Sequence, residues 1–337
     1  MPIHHLSKLA SLCQCTGKTL IAVKCKGLVG TFTIQAPEHT VIETHPENAI
    51  DLRLSCPFQQ LMDYVDTFDL DKLDQTDHSH VPFVVILLNY VKAYKETHEG
   101  QVPQSYQQRQ ELIKMLRADM RTPDQENFEE AIANVWRLAS SSTAMRRIFE
   151  DPSCQHANGQ SPYFWILARA VRDFVDHEGA GHLPLSGKLP DMKSDTLNYI
   201  RLQNVYREKA LSDLNAIKQR VYGLIEGTDV SIPEETIETF CKNAASIRVI
   251  SYKVLSENHL QGTKLAQLLK NDENFNYHFV FEASDYFELD YGRLLTSEDD
   301  IEPLKAKVQW LMEERNVATE DTEEILASDS MDKAIIN

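Results

Sequence analysis

Histidine and carboxylate side chains give this sequence its first candidate for chemistry. Asp77, His78 and His80 lie within one stretch of four residues, and such side chains could hold a metal ion for hydrolysis. No further Cys/His pair with zinc spacing lies nearby in the sequence. The stretch also suits helix capping, because Asp77 or Ser79 could accept backbone N–H bonds ahead of Pro82. We favour capping, and a metal-dependent hydrolase is kept as an alternative.

Other reactive residues give weaker signals. Cys241 lies next to Lys242, but neighbours on a helix do not face each other, so a buried thiol is favoured over a nucleophile. His177 and His182 are five residues apart with two glycines between them, whereas a zinc-protease helix needs histidines four apart. The glycine pairs are too short for a nucleotide loop. The sequence therefore predicts no catalytic residue, no metal site and no cofactor.

Composition narrows the class of protein. The chain has 337 residues and a net charge of −17, which argues against nucleic-acid binding, since phosphates need Lys and Arg. Its most apolar run, residues 83–88, is far shorter than the roughly 20 residues of a membrane helix. No membrane partner is therefore predicted. The six cysteines show no paired framework, which predicts reduced thiols in the cytoplasm or nucleus.

Helical periodicity dominates from Pro57 onward. The clearest case is a long helix over 194–226, in which Ala210, Leu214, Ile217, Val221 and Leu224 form a seam spaced four and three residues apart. A helix of that length needs other helices along its side. Helices are also predicted over 57–67, 82–98, 105–120, 125–140, 161–177, 233–245, 273–290 and 298–315.

Two of these helices carry further detail. Ser161 is expected to cap the helix over 161–177, and Tyr163 falls on its apolar face. The helix over 125–140 should have one apolar face, formed by Phe128, Ala131, Ile132, Val135 and Trp136.

The start of the chain has a different pattern. A helix over 5–15 is followed by a buried strand over 19–23 and a second strand over 31–35. The predicted fold class is mainly α with a small α/β part. The predicted domains are an α/β remnant with a crossover at 1–56, a helical domain at 57–316 and an acidic, flexible tail at 317–337.

The first turns of the long helix are apolar on more than one side. Tyr199, Ile200, Leu202, Val205 and Tyr206 do not fit one narrow stripe. A helix of this kind is buried between two layers. The second layer belongs either to this chain or to a partner, and residue patterns alone favour this chain.

Several strings, in order along the chain, are similar to one protein family. The chain resembles the regulatory, non-catalytic subunits of heterodimeric neddylation activating enzymes, which are relatives of the ubiquitin-activating enzymes. The resemblance covers about residues 6 to 316. The strings are Gly27-Leu28-Val29-Gly30, Val41-Ile42-Glu43 with His45-Pro46 and Asn48-Ala49, Asp51-Leu52-Arg53-Leu54, Asp77-His78-Ser79-His80, Glu126-Asn127-Phe128-Glu129-Glu130-Ala131-Ile132, Phe164-Trp165-Ile166-Leu167-Ala168-Arg169-Ala170, Pro190-Asp191-Met192 and Leu202-Gln203-Asn204-Val205-Tyr206-Arg207-Glu208-Lys209-Ala210.

The resemblance implies a fold and a division of labour. It implies a helical insertion domain attached to a partial Rossmann-like, adenylation-type sheet. The catalytic subunit of such a heterodimer binds ATP and carries the thioester cysteine, so the chain itself would have no catalytic, cofactor or metal residues. Its partner would be that catalytic subunit and, indirectly, the ubiquitin-like modifier. The family's contact segment maps here onto Asp191, Met192, Tyr199, Ile200, Leu202, Gln203 and Asn204.

The chain also departs from the family pattern. The family's α/β segment ahead of residue 6, and the one that follows its helical domain, have no counterpart here. We therefore expect a chain truncated at both ends. The second alternative to a regulatory subunit is a helical interaction fragment that no longer assembles with the catalytic subunit.

Overall fold

The chain folds into mainly helical structure, as the sequence predicts. A computed structural model describes residues 3–26, 29–42, 50–138, 143–250, 252 and 276–317. Its contacts divide the chain into a hairpin unit, Met1–His39 with Ile250–Asn337, and a helical unit, Thr40–Val249. The predicted domain boundaries at residues 56 and 316 stay predictions. The predicted tail lies outside the described residues beyond Val317.

The helical unit is built around the predicted long helix. Its elements are β3 (His39–Val41, which begins at the unit's edge), α2 (Gln59–Val65), α3 (Gln75–His78), α4 (Phe83–Thr97), α5 (Tyr106–Ala118), α6 (Glu126–Asn134) with a 3-10 turn (Val135–Leu138), α7 (Thr143–Glu150), α8 (Pro152–Gln155), α9 (Tyr163–Asp176), α10 (Thr196–Ile225), α11 (Glu234–Lys242) and β4 (Arg248–Ile250). The short strands β3 and β4 pair with each other.

Helix α10 supplies side chains to two separate cores. Leu202 and Tyr206 lie in the first, which is formed mainly by α2, α4, α5 and α6. Ile217 and Val221, from the predicted seam, lie in the second with α9 and α11. The helix has 30 residues and is therefore about 45 Å long, which lets it reach both cores.

Three details of the predicted helices are wrong. Helix α9 begins at Tyr163 rather than Ser161, and the Ser161 hydroxyl accepts a bond from the Asn158 N–H instead of capping the helix. Tyr163 is 51% exposed although its spacing placed it on the apolar face. Trp136 is 54% exposed, because the chain changes to a 3-10 turn at Val135 and the 3.6-residue period no longer applies.

The hairpin unit contains the predicted N-terminal strands. Its described elements are α1 (Ile3–Cys15), β1 (Leu20–Lys26), β2 (Val29–Gln35), α12 (Asn276–Tyr291), a 3-10 turn (Glu298–Asp300) and α13 (Ile301–Glu314). Strands β1 and β2 are antiparallel, with Ile21 opposite Ile34 and Val23 opposite Phe32.

One face of this hairpin packs on helices, and the side chains of the other face are exposed to solvent. On the packed face the Gln35 side chain donates to the Ala10 carbonyl of α1 at 2.8 Å, and Lys24 pairs with Asp285 of α12. On the other face Val23 is 68% and Phe32 73% exposed. The predicted burial of the strand over 19–23 is therefore wrong for its outward side chains.

Candidate protein-binding site on the long helix

The segment that leads into α10 is fixed by hydrogen bonds. The Asp195 carboxylate caps the helix by accepting the Asn198 N–H at 2.8 Å. The Lys193 N–H donates to the Glu130 carboxylate at 2.8 Å, and burial raises the pKa of Glu130. The Asp195 N–H also points to the His80 carbonyl at 3.4 Å. This part of the predicted contact segment is thus held by helix α6 and the turn after α3.

Two tyrosines attach the first half of α10 to the first core. The Tyr64 hydroxyl of α2 donates to the Asn198 carbonyl at 3.0 Å, and burial raises the pKa of Tyr64 to about 12. The Tyr206 hydroxyl donates to the Leu52 carbonyl at 2.6 Å. Burial raises the pKa of Tyr206 as well, so both hydroxyls stay protonated donors at neutral pH.

The turn-rich segment before α10 is docked on the middle of the helix. The Leu185 N–H donates to the Asp213 carboxylate at 3.1 Å, and Lys209 pairs with the same carboxylate. Gly187 has a φ of +70°, and a Cβ there would lie 3.1 Å from the Ala210 Cβ. Glycine is therefore needed where this segment crosses the helix.

The predicted contact residues divide by exposure. Leu202 is fully buried in the first core, so its side chain packs within this chain. Met192, Tyr199 and Gln203 are half-buried, and Asp191, Ile200 and Asn204 are exposed. The surface that another protein could touch is therefore carried by the last three, with the half-buried side chains at its edge.

Sequence reasoning missed two members of this surface. Leu197 is 58% and Leu211 57% exposed, and Ile200 is 47% exposed. At 100° per residue these three side chains and Asn204 fall within about 60° of the helix circumference. We name this set, Leu197, Ile200, Asn204 and Leu211, the outer line. The sequence does contain a signal for the outer line. On a helical projection Leu197 and Leu211 fall on the side of the helix opposite the core side chains Leu202 and Tyr206.

Of the three candidate metal ligands, His78 packs in the core, whereas Asp77 and His80 are exposed. His78 is buried and stacks on Phe128 with ring centroids 5.0 Å apart. The Gln125 amide nitrogen lies 2.7 Å from His78 Nδ1, and burial lowers the pKa of His78. The expected capping of the next helix by Asp77 or Ser79 is wrong, because the N-cap of α4 is Pro82 and no side chain caps it. Asp74 instead caps α3 by accepting the Asp77 N–H at 2.8 Å. Among the described residues no three His, Cys, Asp or Glu side chains are grouped to hold a metal.

The buried cysteines are poor nucleophiles. Cys241 is 4% exposed, and burial raises the pKa of its thiol to about 12. Burial also raises the pKa of Cys154 to about 11. The interpretation of Cys241 as a buried thiol is confirmed by its position in the second core.

Comparison with known proteins gives consistent relatives. No protein-family model matches the chain. A protein named NEDD8-activating enzyme E1 regulatory subunit from Xenopus laevis is 36% identical over 337 residues, covering 93% of this chain and 63% of the relative. The protein of the same name from Gallus gallus is 36% identical over 335 residues, covering 92% and 62%. A regulatory subunit from Arabidopsis thaliana is 32% identical over 298 residues, covering 85% and 57%.

The chain belongs to this family of regulatory subunits. The resemblance seen in the sequence is therefore confirmed. The chain spans about three fifths of the length of the curated relatives it matches. None of the described helices is long and apolar enough to cross a membrane.

The strings that carry the family resemblance are largely interior. The Asn127 amide is fully buried and donates to the carbonyls of His78 and Val81 at 2.9 and 3.1 Å. Leu52 accepts the Tyr206 hydroxyl bond described above. Residues 27–28 and 43–49 of these strings lie outside the described residues. In the helical unit, the strings that resemble the family therefore mainly pack the core. The outer line, in contrast, lies on the surface.

Proposed function

We propose that this chain is a non-catalytic regulatory subunit, which binds the catalytic subunit of a NEDD8-activating enzyme and supports activation of the ubiquitin-like modifier. The observation that supports this proposal is a sequence identity of 31–36% with regulatory subunits of NEDD8-activating enzymes over most of the chain. The role fits the buried thiol of Cys241 and the use of His78 for packing against Phe128. In this proposal the chain holds no cofactor and works in the cytoplasm or nucleus.

The exposed part of the predicted contact segment supports an assembly role. Ile200 and Asn204 lie on a helix whose position is set by hydrogen bonds, and Asp191 lies in the segment before it, which the Lys193 N–H fastens to Glu130. A surface fixed in this way loses little entropy on binding. Isolated exposed apolar side chains are common, but several in one line on a rigid helix are typical of an interaction site.

Co-purification with the catalytic subunit tests the proposal. A complex should form at micromolar concentrations, and Ile200→Asp should weaken it at least about tenfold, because the buried centre of an interface tolerates no lone charge. Tyr106→Asp is the control, since Tyr106 is 76% exposed on α5 of the same unit. Absence of any complex with the unchanged chain would refute the assembly role.

The chain's length gives a second candidate. Because it spans about three fifths of its relatives, it could act as a helical fragment that competes with a full-length subunit. Adding the purified chain to a reconstituted neddylation reaction separates the two. Stimulation supports the regulatory subunit, and inhibition supports the competing fragment.

We also propose that the hairpin unit is part of an adenylation-type α/β domain. Such domains have helices on both faces of a sheet. Here α1 and α12 cover one face of β1 and β2, and the other face shows Ile21, Val23, Phe32 and Ile34 to solvent. An apolar face of this kind is what a second layer of the domain would cover.

A further inference from the structure

The outer line continues beyond the segment that the family resemblance marks. That segment ends at Asn204, whereas Leu211 lies two turns further along α10 and is 57% exposed. From Leu197 to Leu211 the line runs about 21 Å. Its members are spaced by three, four and seven residues, which follows a coiled-coil seam except that charged Arg207 and Glu208 stand at the position between Asn204 and Leu211. A line of this geometry matches one face of a second helix.

Charged side chains flank the line. Arg201 and Glu208 are exposed along one edge of the line and Arg207 along the other, which leaves a local charge of +1 in a chain of net charge −17. Within the described part of the chain neither arginine has a hydrogen bond or an ion pair. Two uncommitted arginines beside an apolar line favour a partner segment that carries carboxylates at the edges of its own apolar stripe.

The outer line lies on the exposed side of α10, away from the core of the helical unit. Leu202 and Tyr206, the core side chains of this half of the helix, lie roughly opposite it. Asn204 is the one polar member of the line, and a single polar residue in a helical seam sets the register of the two helices. The line is therefore a surface whose side chains can be changed without loss of the core.

We propose that the outer line, from Leu197 to Leu211, receives an amphipathic helix of the catalytic subunit, with apolar side chains along one stripe and carboxylates facing Arg201 and Arg207. This inference rests on the proposed function and deepens it. It adds Leu197, Leu211 and the two arginines to the interface. It also states the chemistry of the segment that binds there.

Titration of the catalytic subunit onto purified variants tests the inference. Leu211→Asp should raise the dissociation constant at least about tenfold. Leu294→Asp is the matched control, since Leu294 is also 57% exposed but lies in the hairpin unit. Arg207→Glu should weaken the complex and reduce its sensitivity to added salt, because one attractive charge pair is replaced by a repulsive one. Unchanged helical circular dichroism shows that each variant is folded.

The outcomes separate this inference from the proposed function. If Ile200→Asp weakens the complex while Leu211→Asp binds like the Leu294→Asp control, the extended line is refuted and the regulatory role stands. If Arg207→Glu binds more tightly, the acidic partner segment is refuted. If the unchanged chain forms no complex, the proposed function fails and the line loses its occupant.

Discussion

Leu202 decides between burial within this chain and contact with a partner. Its side chain is fully buried in the first core, among side chains of α2, α4, α5 and α6. Leu202→Ala removes buried apolar atoms and leaves a cavity, which costs about 3 kcal/mol of unfolding free energy at such sites. Leu211→Ala is a matched change on the same helix at a side chain that is 57% exposed, and it should cost less than about 0.5 kcal/mol.

Urea unfolding measures this difference. Tryptophan fluorescence reports the helical unit through Trp136 and Trp165, and a Trp310→Phe background removes the signal of the hairpin unit. With a urea slope of about 3 kcal/mol per molar, the Leu202→Ala midpoint should fall by about 1 M. The Leu211→Ala midpoint should stay within about 0.2 M of the parent.

The reverse pattern would refute the reasoning. If both variants unfold at the parent midpoint while Leu202→Ala loses binding to the catalytic subunit, Leu202 is a partner contact and the packing of α10 is wrong. If Leu202→Ala is less stable but binds the catalytic subunit normally once folded, burial within this chain is established. The two measurements on one pair of variants therefore settle the position of this half of the helix.

Three further outcomes are expected. Asp213→Ala should lower the unfolding free energy by about 3 kcal/mol in the same urea titration, because Lys209 and a buried backbone N–H lose their shared carboxylate. Iodoacetamide at pH 8 should leave Cys154 and Cys241 unmodified until urea is added, as counted by intact mass, because burial raises the pKa of these thiols to about 11 and about 12. Burial lowers the pKa of His78, so the unfolded chain takes up a proton first as pH falls below about 6.5. Stability should therefore fall from pH 7 to pH 5, and fall less in His78→Phe.

The sequence predicted the long helices because their apolar side chains recur at a local period. Ile217 and Val221 of the predicted seam are fully buried, and the helix ends within two residues of the predicted positions. Prediction of burial from the helical period fails where the backbone geometry changes. Trp136 is an example, because the α-helix becomes a 3-10 turn at Val135. It also misses short elements such as α8, whose four residues hold too little period to detect.

Burial of a strand or of one helix face depends on what lies across from it in space. Val23 reads as a buried strand residue, yet it is exposed because the helices of the hairpin unit pack on the other face. Ile200 and Leu202 are two residues apart and equally apolar, and the helix turns one outward and the other into the core. The sequence shows that this segment is apolar on two sides. Only the packing of α2 and α4 determines which of the two sides is buried and which is exposed.

One continuous helix that contributes to two cores has a consequence for cooperativity. Neither core can lose its share of α10 without exposing the apolar side chains of that stretch, so opening one core withdraws support from the other. The slowest amide protons of α4, in the first core, and of α9, in the second, should therefore exchange with a common free energy of opening. Any ligand that binds and stabilises the outer surface of α10 would therefore slow amide-proton exchange in α4 and α9 together, although it contacts neither helix.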